Sequence, residues 1–165
     1  MTVKLNYSGY TVLFKRIRSL TKKLPPPAVF GVLALLHLVS GAVFGMIAPA
    51  PWPFVSLPLL LAAMSFAFSA LLKFTLAGIS HMPWKTNRTV LFTTGIYGIS
   101  RNPMYLSLIL GLAGIGMTFC PLMLLVTVPV LIHFLTYVII REETTNGILF
   151  RQDFNRYCEK THRWI

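Results

Sequence analysis

Between Met104 and Ile140 the chain runs for 37 residues without an Asp, Glu, Lys or Arg. A straight helix of that length would measure about 55 Å, nearly twice the hydrocarbon thickness of a bilayer. The stretch therefore crosses and returns as a hairpin. Its polar flanks, Ser100-Arg101-Asn102-Pro103 before it and Arg141-Glu142-Glu143 after it, emerge on the same side and close together. Two of the chain's four acidic residues then stand beside an Arg-Asn-Pro-x-Tyr corner at a membrane surface. That corner is where a site is expected.

A second run, Leu24 to Leu72, also lacks Asp, Glu, Lys and Arg, and it too must fold back. The break is Pro49-Ala50-Pro51-Trp52-Pro53, where prolines end a helix and Trp52 suits the interface. Four transmembrane helices are expected, over residues 28–48, 54–74, 104–120 and 122–140. Cys120-Pro121 forms the turn of the second hairpin, and Pro58 and Pro129 kink their spans. Composition agrees: the chain is 55% hydrophobic and 12% charged, half the charge of an ordinary soluble domain. The fold class is all-α, a polytopic helical membrane protein forming one integral membrane domain over residues 1–165.

Charge gives the orientation. Residues 1–23 hold six Lys or Arg, residues 73–101 four and residues 141–163 five, while the connections near 49–53 and 119–121 hold none. Under the positive-inside rule both termini are cytoplasmic, with a cytoplasmic tail over 141–165. Residues 1–24 read as a basic interfacial segment whose apolar side chains dip into the bilayer while Lys and Arg snorkel. The net charge of +11 is attraction to an anionic leaflet, with membrane lipids as partners and no nucleic acid. The basic N-terminus with its long apolar sequel reads as a retained span, not a cleaved leader. Cys120 and Cys158 have no partner at ligand spacing, so neither a disulfide framework nor a metal site is expected.

No carboxylate lies within a span, which argues against a proton-coupled exporter. His37 and His133 are the ionisable groups inside spans. His37 reads as a hydrogen-bonded packing residue, whereas His133, Tyr137 and Arg141 follow i, i+4, i+8 spacing on a helix face leading to Glu142-Glu143. Glycine spacings Gly41-x-x-x-Gly45 and Gly111-x-x-Gly114 permit close helix approach. In the loop Thr93 to Tyr105, Gly95 and Gly98 allow tight turns, and Asn102 caps a helix that starts at Pro103. A helix N-terminus beside an Arg can hold a carboxylate, and a Glu pair can hold an ammonium. Together they describe recognition of an amino-acid-like group.

At these residues the chain resembles the membrane-integral methyltransferases that group isoprenylcysteine carboxyl methyltransferase with phospholipid methyltransferases. The resemblance rests on Gly95, Tyr97, Ser100, Arg101, Asn102, Pro103 and Tyr105, then Glu142 and Glu143, then Phe154, Tyr157, Arg163 and Trp164, with Ala77-Gly78 and Met82-Pro83-Trp84-Lys85 upstream. It covers about residues 75–165. It implies S-adenosylmethionine as cofactor, bound by the loop, the hairpin ends and the tail. Gly95, Tyr97, Ser100, Arg101, Asn102, Pro103 and Tyr105 would shape the nucleoside and carboxylate pocket. Glu142 and Glu143 would bind the ammonium group or orient the acceptor, and Tyr105, Phe154 and Tyr157 would face the sulfonium. Glu143 or His133 would act as base toward an amine acceptor, with Arg101 the third catalytic candidate. The chain departs from the family pattern at Asn102, where the eukaryotic carboxyl methyltransferases have His. It departs again at Ser107 for Gly, at Asn146 for Leu, and at Phe150-Arg151 for Phe-Gly.

The expectation is an S-adenosylmethionine-dependent methyltransferase acting at the cytoplasmic leaflet on a lipophilic or lipid-linked acceptor, an isoprenylcysteine-like carboxylate or a phospholipid amine. The alternatives are an NADPH-dependent enzyme like the membrane sterol reductases and a non-catalytic membrane scaffold.

Overall fold

The computed structural model describes residues 24–44, 52–78 and 90–165, and among these every regular element is helical. The expected interfacial segment at 1–24 lies almost wholly outside the described residues, as do Gly45 to Pro51 and Met82-Pro83-Trp84-Lys85. Helix α1 is Pro26–Phe44, α2 Trp52–Leu76, α3 the single turn Ile96–Ile99, and α4 Pro103–Phe119. A 3₁₀ turn, Pro121–Met123, leads into α5, Leu124–Lys160. Prolines at the first turns of α1, α4 and the 3₁₀ turn supply the pre-set φ of a helix start, where a missing N–H costs nothing.

Three helices, α1, α2 and α5, are long and apolar enough to cross a membrane. The fourth expected span corresponds to α4, which is apolar but has 17 residues. That is about 26 Å, the lower limit for crossing. α4 is the centre of the assembly. It packs most extensively on α2, then on α1 and α5, and it buries Leu106, Ser107, Gly111, Leu112, Gly114 and Gly116. Outward-facing side chains on the other helices are large and apolar, among them Val32, Val43, Phe54, Met64, Phe68 and Leu125. Such a surface suits acyl chains and would be unfavourable in water.

The core is Ala34 of α1, Leu112 of α4 and Leu131, Leu135 and Ile139 of α5, with Tyr105 and Trp164 packed against it. Two close approaches set the helix spacing. A Cβ on Gly114 would stand 2.7 Å from Leu60 Cγ and 3.2 Å from the Ser56 carbonyl of α2. One on Gly116 would stand 2.8 Å from His37 Cε1 of α1. His37 is fully buried, and its Nε2 lies 2.9 Å from Thr127 Oγ1 of α5. The Thr127 hydroxyl already donates to the Met123 carbonyl at 3.0 Å, so His37 Nε2–H is the donor and Thr127 the acceptor. At the hairpin turn Cys120 is extended (φ −156°, ψ 83°), as the residue before a proline must be to avoid its ring.

The last helix extends well past the expected span. It does not stop near Ile140 but continues through Arg141, Glu142 and Glu143 to Lys160. Loss of apolarity after Ile140 marks a change of solvent, whereas backbone hydrogen bonding continues wherever helix formers follow. α5 also runs on through Pro129, and its non-helical residue is Arg151, at φ 44° and ψ −111°. The chain turns there, and Phe154 comes back against Gly147, whose Cβ would meet Phe154 Cδ1 at 3.8 Å. A side chain in this left-handed region is strained, which is the physical reason glycine suits the position.

Two outcomes follow. Arg151→Gly should stabilise the protein by about 1 kcal/mol by relieving the positive φ, read as a higher midpoint in thermal unfolding in detergent. Gly114→Leu should destabilise it by about 1–3 kcal/mol, because Leu60 and the α2 backbone leave no room for a side chain.

Candidate functional site

The loop between α2 and α4 is shaped by one glycine. Gly95 has φ 68° and ψ −129°, and a Cβ there would stand 3.3 Å from Lys73 Cε at the end of α2. The chain makes the single turn α3, in which Tyr97 is buried, and leaves through extended Ser100. Phe74 of α2, Phe92 of the loop and Tyr97 then form a ring cluster with centroids 5.2, 5.7 and 6.2 Å apart. The contacts involving Phe74 are edge-to-face, a favoured aromatic geometry.

The C-terminal tail folds onto this loop. Arg101 N–H donates to the His162 carbonyl at 3.0 Å. The Arg163 carbonyl accepts from Asn102 Nδ2 at 3.1 Å and from Ser100 Oγ at 3.4 Å. Asn102 therefore sits at the start of α4 without capping it through its side chain. It holds the expected N-cap position through its backbone: the amide is turned toward the tail, while the Asn102 carbonyl accepts the Tyr105 and Leu106 N–H groups at 3.0 Å each. Tyr157, buried in the last stretch of α5, donates its hydroxyl to the Tyr97 carbonyl at 2.6 Å.

Glu143 joins the pieces. Arg163 grips it at two points, Nη2 to Oε2 at 2.6 Å and Nε to Oε1 at 3.3 Å. Arg101 Nη2 lies 3.5 Å from Oε1, and Arg101 Nη1 also donates to Cys158 Sγ. The side chains of Arg101 and Glu143 are about 15% exposed, dry enough to strengthen these charge-assisted contacts. The hydrogen bond to Glu143 raises the Arg163 guanidinium above its ordinary pKa, so it stays charged. Both oxygens of Glu143 are thus occupied by guanidinium groups. Glu142, its neighbour, accepts from Tyr105 Oη at 2.7 Å.

These residues enclose a cavity of about 470 Å³, a size suited to a small-molecule ligand. Its polar wall comes from Arg101, Asn102, Tyr105, Glu142, Glu143 and Asn146. Its apolar wall comes from Pro25 to Pro27 at the start of α1, Ala67, Leu71 and Phe74 of α2, and Met104 and Leu108 of α4. Aromatic side chains Phe92, Tyr97, Phe154 and Tyr157 also line it. Two buried polar atoms on this wall have no hydrogen-bond partner among the described residues, the donor Arg101 Nε and the acceptor Asn146 Oδ1.

Of the residues anticipated from sequence, Tyr97, Arg101, Asn102, Pro103, Tyr105, Glu142, Glu143, Phe154 and Tyr157 meet at this one cavity. Gly95 and Ser100 do not line it but shape the loop that does. His133 is elsewhere, a correction to the face drawn through it. It is two residues from both Leu131 and Leu135 on α5, about 200° round the helix from each buried side chain. There its ring is exposed and packs edge-on against Tyr137 at 4.9 Å, and Arg141 beyond it is exposed as well. Sequence reasoning did not bring in Phe74, Phe92, Cys158 or the prolines of α1, which carry no local signal. Asn146 and Arg163 had one, as a departure from pattern and as part of the Arg-Trp ending.

The family model described as phospholipid methyltransferase matches residues 51–152, well over half of the chain. The chain belongs to the phospholipid methyltransferase family, a family of membrane methyltransferases. The match spans α2, the loop, α4 and α5 as far as the turn at Arg151, and so includes both flanks of the cavity. No curated protein and no solved structure matches the chain.

The Tyr157 hydroxyl gives the site a pH signature. Burial pushes its pKa from an ordinary value near 10 up to about 12, partly offset by the charge of Arg101. Because the folded value lies above the unfolded one, the contribution to stability is full below pH 10 and is lost between about pH 10 and about pH 12. Tyr157→Phe should destabilise the protein by about 1 kcal/mol at neutral pH by removing the hydrogen bond to the Tyr97 carbonyl. It should also flatten that alkaline loss, and ultraviolet titration of tyrosinate should lose its highest-pH component.

Proposed function

We propose that the protein transfers a methyl group from S-adenosylmethionine to the amine of a membrane phospholipid, in a cavity opening at the cytoplasmic leaflet. The observation that carries this reading is the joining of a charged wall and an apolar wall in one cavity, in a chain of the phospholipid methyltransferase family. An amino-acid-like group fits the charged wall. The buried Arg101 Nε is a donor awaiting an acceptor such as a carboxylate, and Glu142 is an anion suited to an ammonium. The apolar wall faces the helices that meet acyl chains, so a lipid would reach the cavity laterally between α1, α2 and α4. The basic segments of the sequence support a cytoplasmic site.

S-adenosylmethionine supplies an electrophilic methyl group on a sulfonium. The chain's own residues contribute alignment and charge. Tyr105, Phe154 and Tyr157 offer aromatic surface to a cationic centre. Arg101 and Asn102 hold the loop against the tail and thereby fix the wall around the donor. Catalysis of an in-line displacement comes mostly from such positioning. A protonated amine must also lose a proton before it can attack. Glu142, which lines the cavity and is hydrogen-bonded to Tyr105 at 2.7 Å, takes that role in preference to His133, which is remote.

Calorimetric titration of the detergent-purified protein with S-adenosylhomocysteine should give micromolar binding, weakened at least about tenfold by Arg101→Ala and by Glu142→Ala. Label from the methyl donor should then appear in the phospholipid fraction of membrane extracts. Binding of NADPH instead would replace this reading with a reductase, and binding of neither by a folded sample would leave a scaffold.

A further inference from the structure

We infer that Asn146 is a ligand-binding residue of the cavity, its side-chain oxygen accepting a hydrogen bond from an N–H group on the bound substrate. The inference rests on the methyltransferase reading above and adds to it a recognition element. Asn146 follows Glu142 by four residues on α5, so the two share a helix face one turn apart. It lines the same cavity, and its Oδ1 is buried with no hydrogen-bond partner among the described residues. A buried carbonyl left unpaired is costly, and one at the wall of a cavity calls for a partner. Its neighbours on α5 do not supply one. Glu142 and Glu143 are acceptors themselves, and Glu143 is held by Arg163 and Arg101.

The chemistry of the missing partner follows from the atom. An amide oxygen accepts and does not donate, so the ligand must bring a hydrogen on nitrogen or a comparable donor. Being neutral, Asn146 adds no third negative charge beside the two glutamates. It therefore selects for the presence of N–H and not simply for positive charge. A primary or partly methylated amine satisfies it, whereas a quaternary ammonium carries no proton to donate. Two groups offer that chemistry, the amino group of the methyl donor and the amine of the lipid headgroup.

The test compares wild type with Asn146→Leu and Asn146→Asp, using three probes in detergent. These are S-adenosylhomocysteine, a short-chain phospholipid with a primary-amine headgroup, and the same lipid with a trimethylammonium headgroup. Asn146→Leu should melt no lower than wild type, because it removes an unpaired buried acceptor. It should weaken one N–H-bearing probe about tenfold, the worth of one hydrogen bond, and leave the trimethylammonium lipid unchanged. Asn146→Asp, which keeps an acceptor but adds a negative charge beside Glu142 and Glu143, should bind the same probe more tightly than Asn146→Leu does. Loss confined to the amine lipid assigns Asn146 to the headgroup, and loss confined to S-adenosylhomocysteine assigns it to the donor. Unchanged binding of all three probes, or equal loss of the amine and trimethylammonium lipids, would overturn the inference. Failure of wild type to bind S-adenosylhomocysteine at all would count against the methyltransferase reading, while the two lipids would still judge Asn146.

Discussion

The site depends on the Glu143 carboxylate. It is the point where the loop, the last long helix and the C-terminal tail are tied together, through Arg101 on one side and Arg163 on the other. None of these pieces would find the others by local structure, since Arg163 lies 20 residues beyond Glu143, past a sharp turn at Arg151. Once the guanidinium of Arg163 is seated, its backbone carbonyl is brought to Ser100 and Asn102, and Trp164 reaches the core. The tail then forms part of the structure that closes the cavity. A lone carboxylate with this burial would be unfavourable, and two guanidinium groups with good geometry offset that cost.

The other end of the bundle keeps these ends in register. His37 donates to Thr127, and Gly116 leaves room for the histidine ring, so α1 and α5 meet at a fixed height. Gly114 brings α4 against the backbone of α2. With the turn at Cys120-Pro121 fixed as well, the two arms of the hairpin return Tyr105 and Glu142 to within 2.7 Å of one another. Small residues and a single buried polar contact at one end thus govern which charged groups meet at the other.

Much of this was legible because apolar run length and charge are one-dimensional. An all-helical chain with membrane-length apolar helices follows from the uncharged runs alone. The Arg-Asn-Pro-x-Tyr corner and the Glu pair likewise mark both flanks of the cavity. What failed was anything requiring knowledge of a distant partner. Asn102 has the identity of a helix cap, yet its amide serves a carbonyl 61 residues away. His133 fits an i, i+4 pattern, but spacing does not say which face is inward; Leu131, Leu135, Val138 and Ile139 decide that. The end of α5 lies well beyond the apolar run because hydropathy reports the solvent and not the backbone. Arg151 in place of glycine gave no sign that the turn would persist with a strained residue in it.

On the proposed reading one cavity would serve two chemically different guests, and its polar wall carries both signs of charge. Within the wall Arg101 stands against Glu143, which Arg163 braces from outside the lining, and Glu142 lies a single residue away on the same helix. On that reading, a zwitterionic ligand would meet both signs of charge in one partly dry site. The apolar wall selects differently, by exclusion of water and by contact with chains. A guest that is polar at one end and hydrocarbon at the other would therefore be held at both ends. Its reacting group would then lie at the boundary between the two walls, where Tyr105 of α4 meets Glu142 of α5.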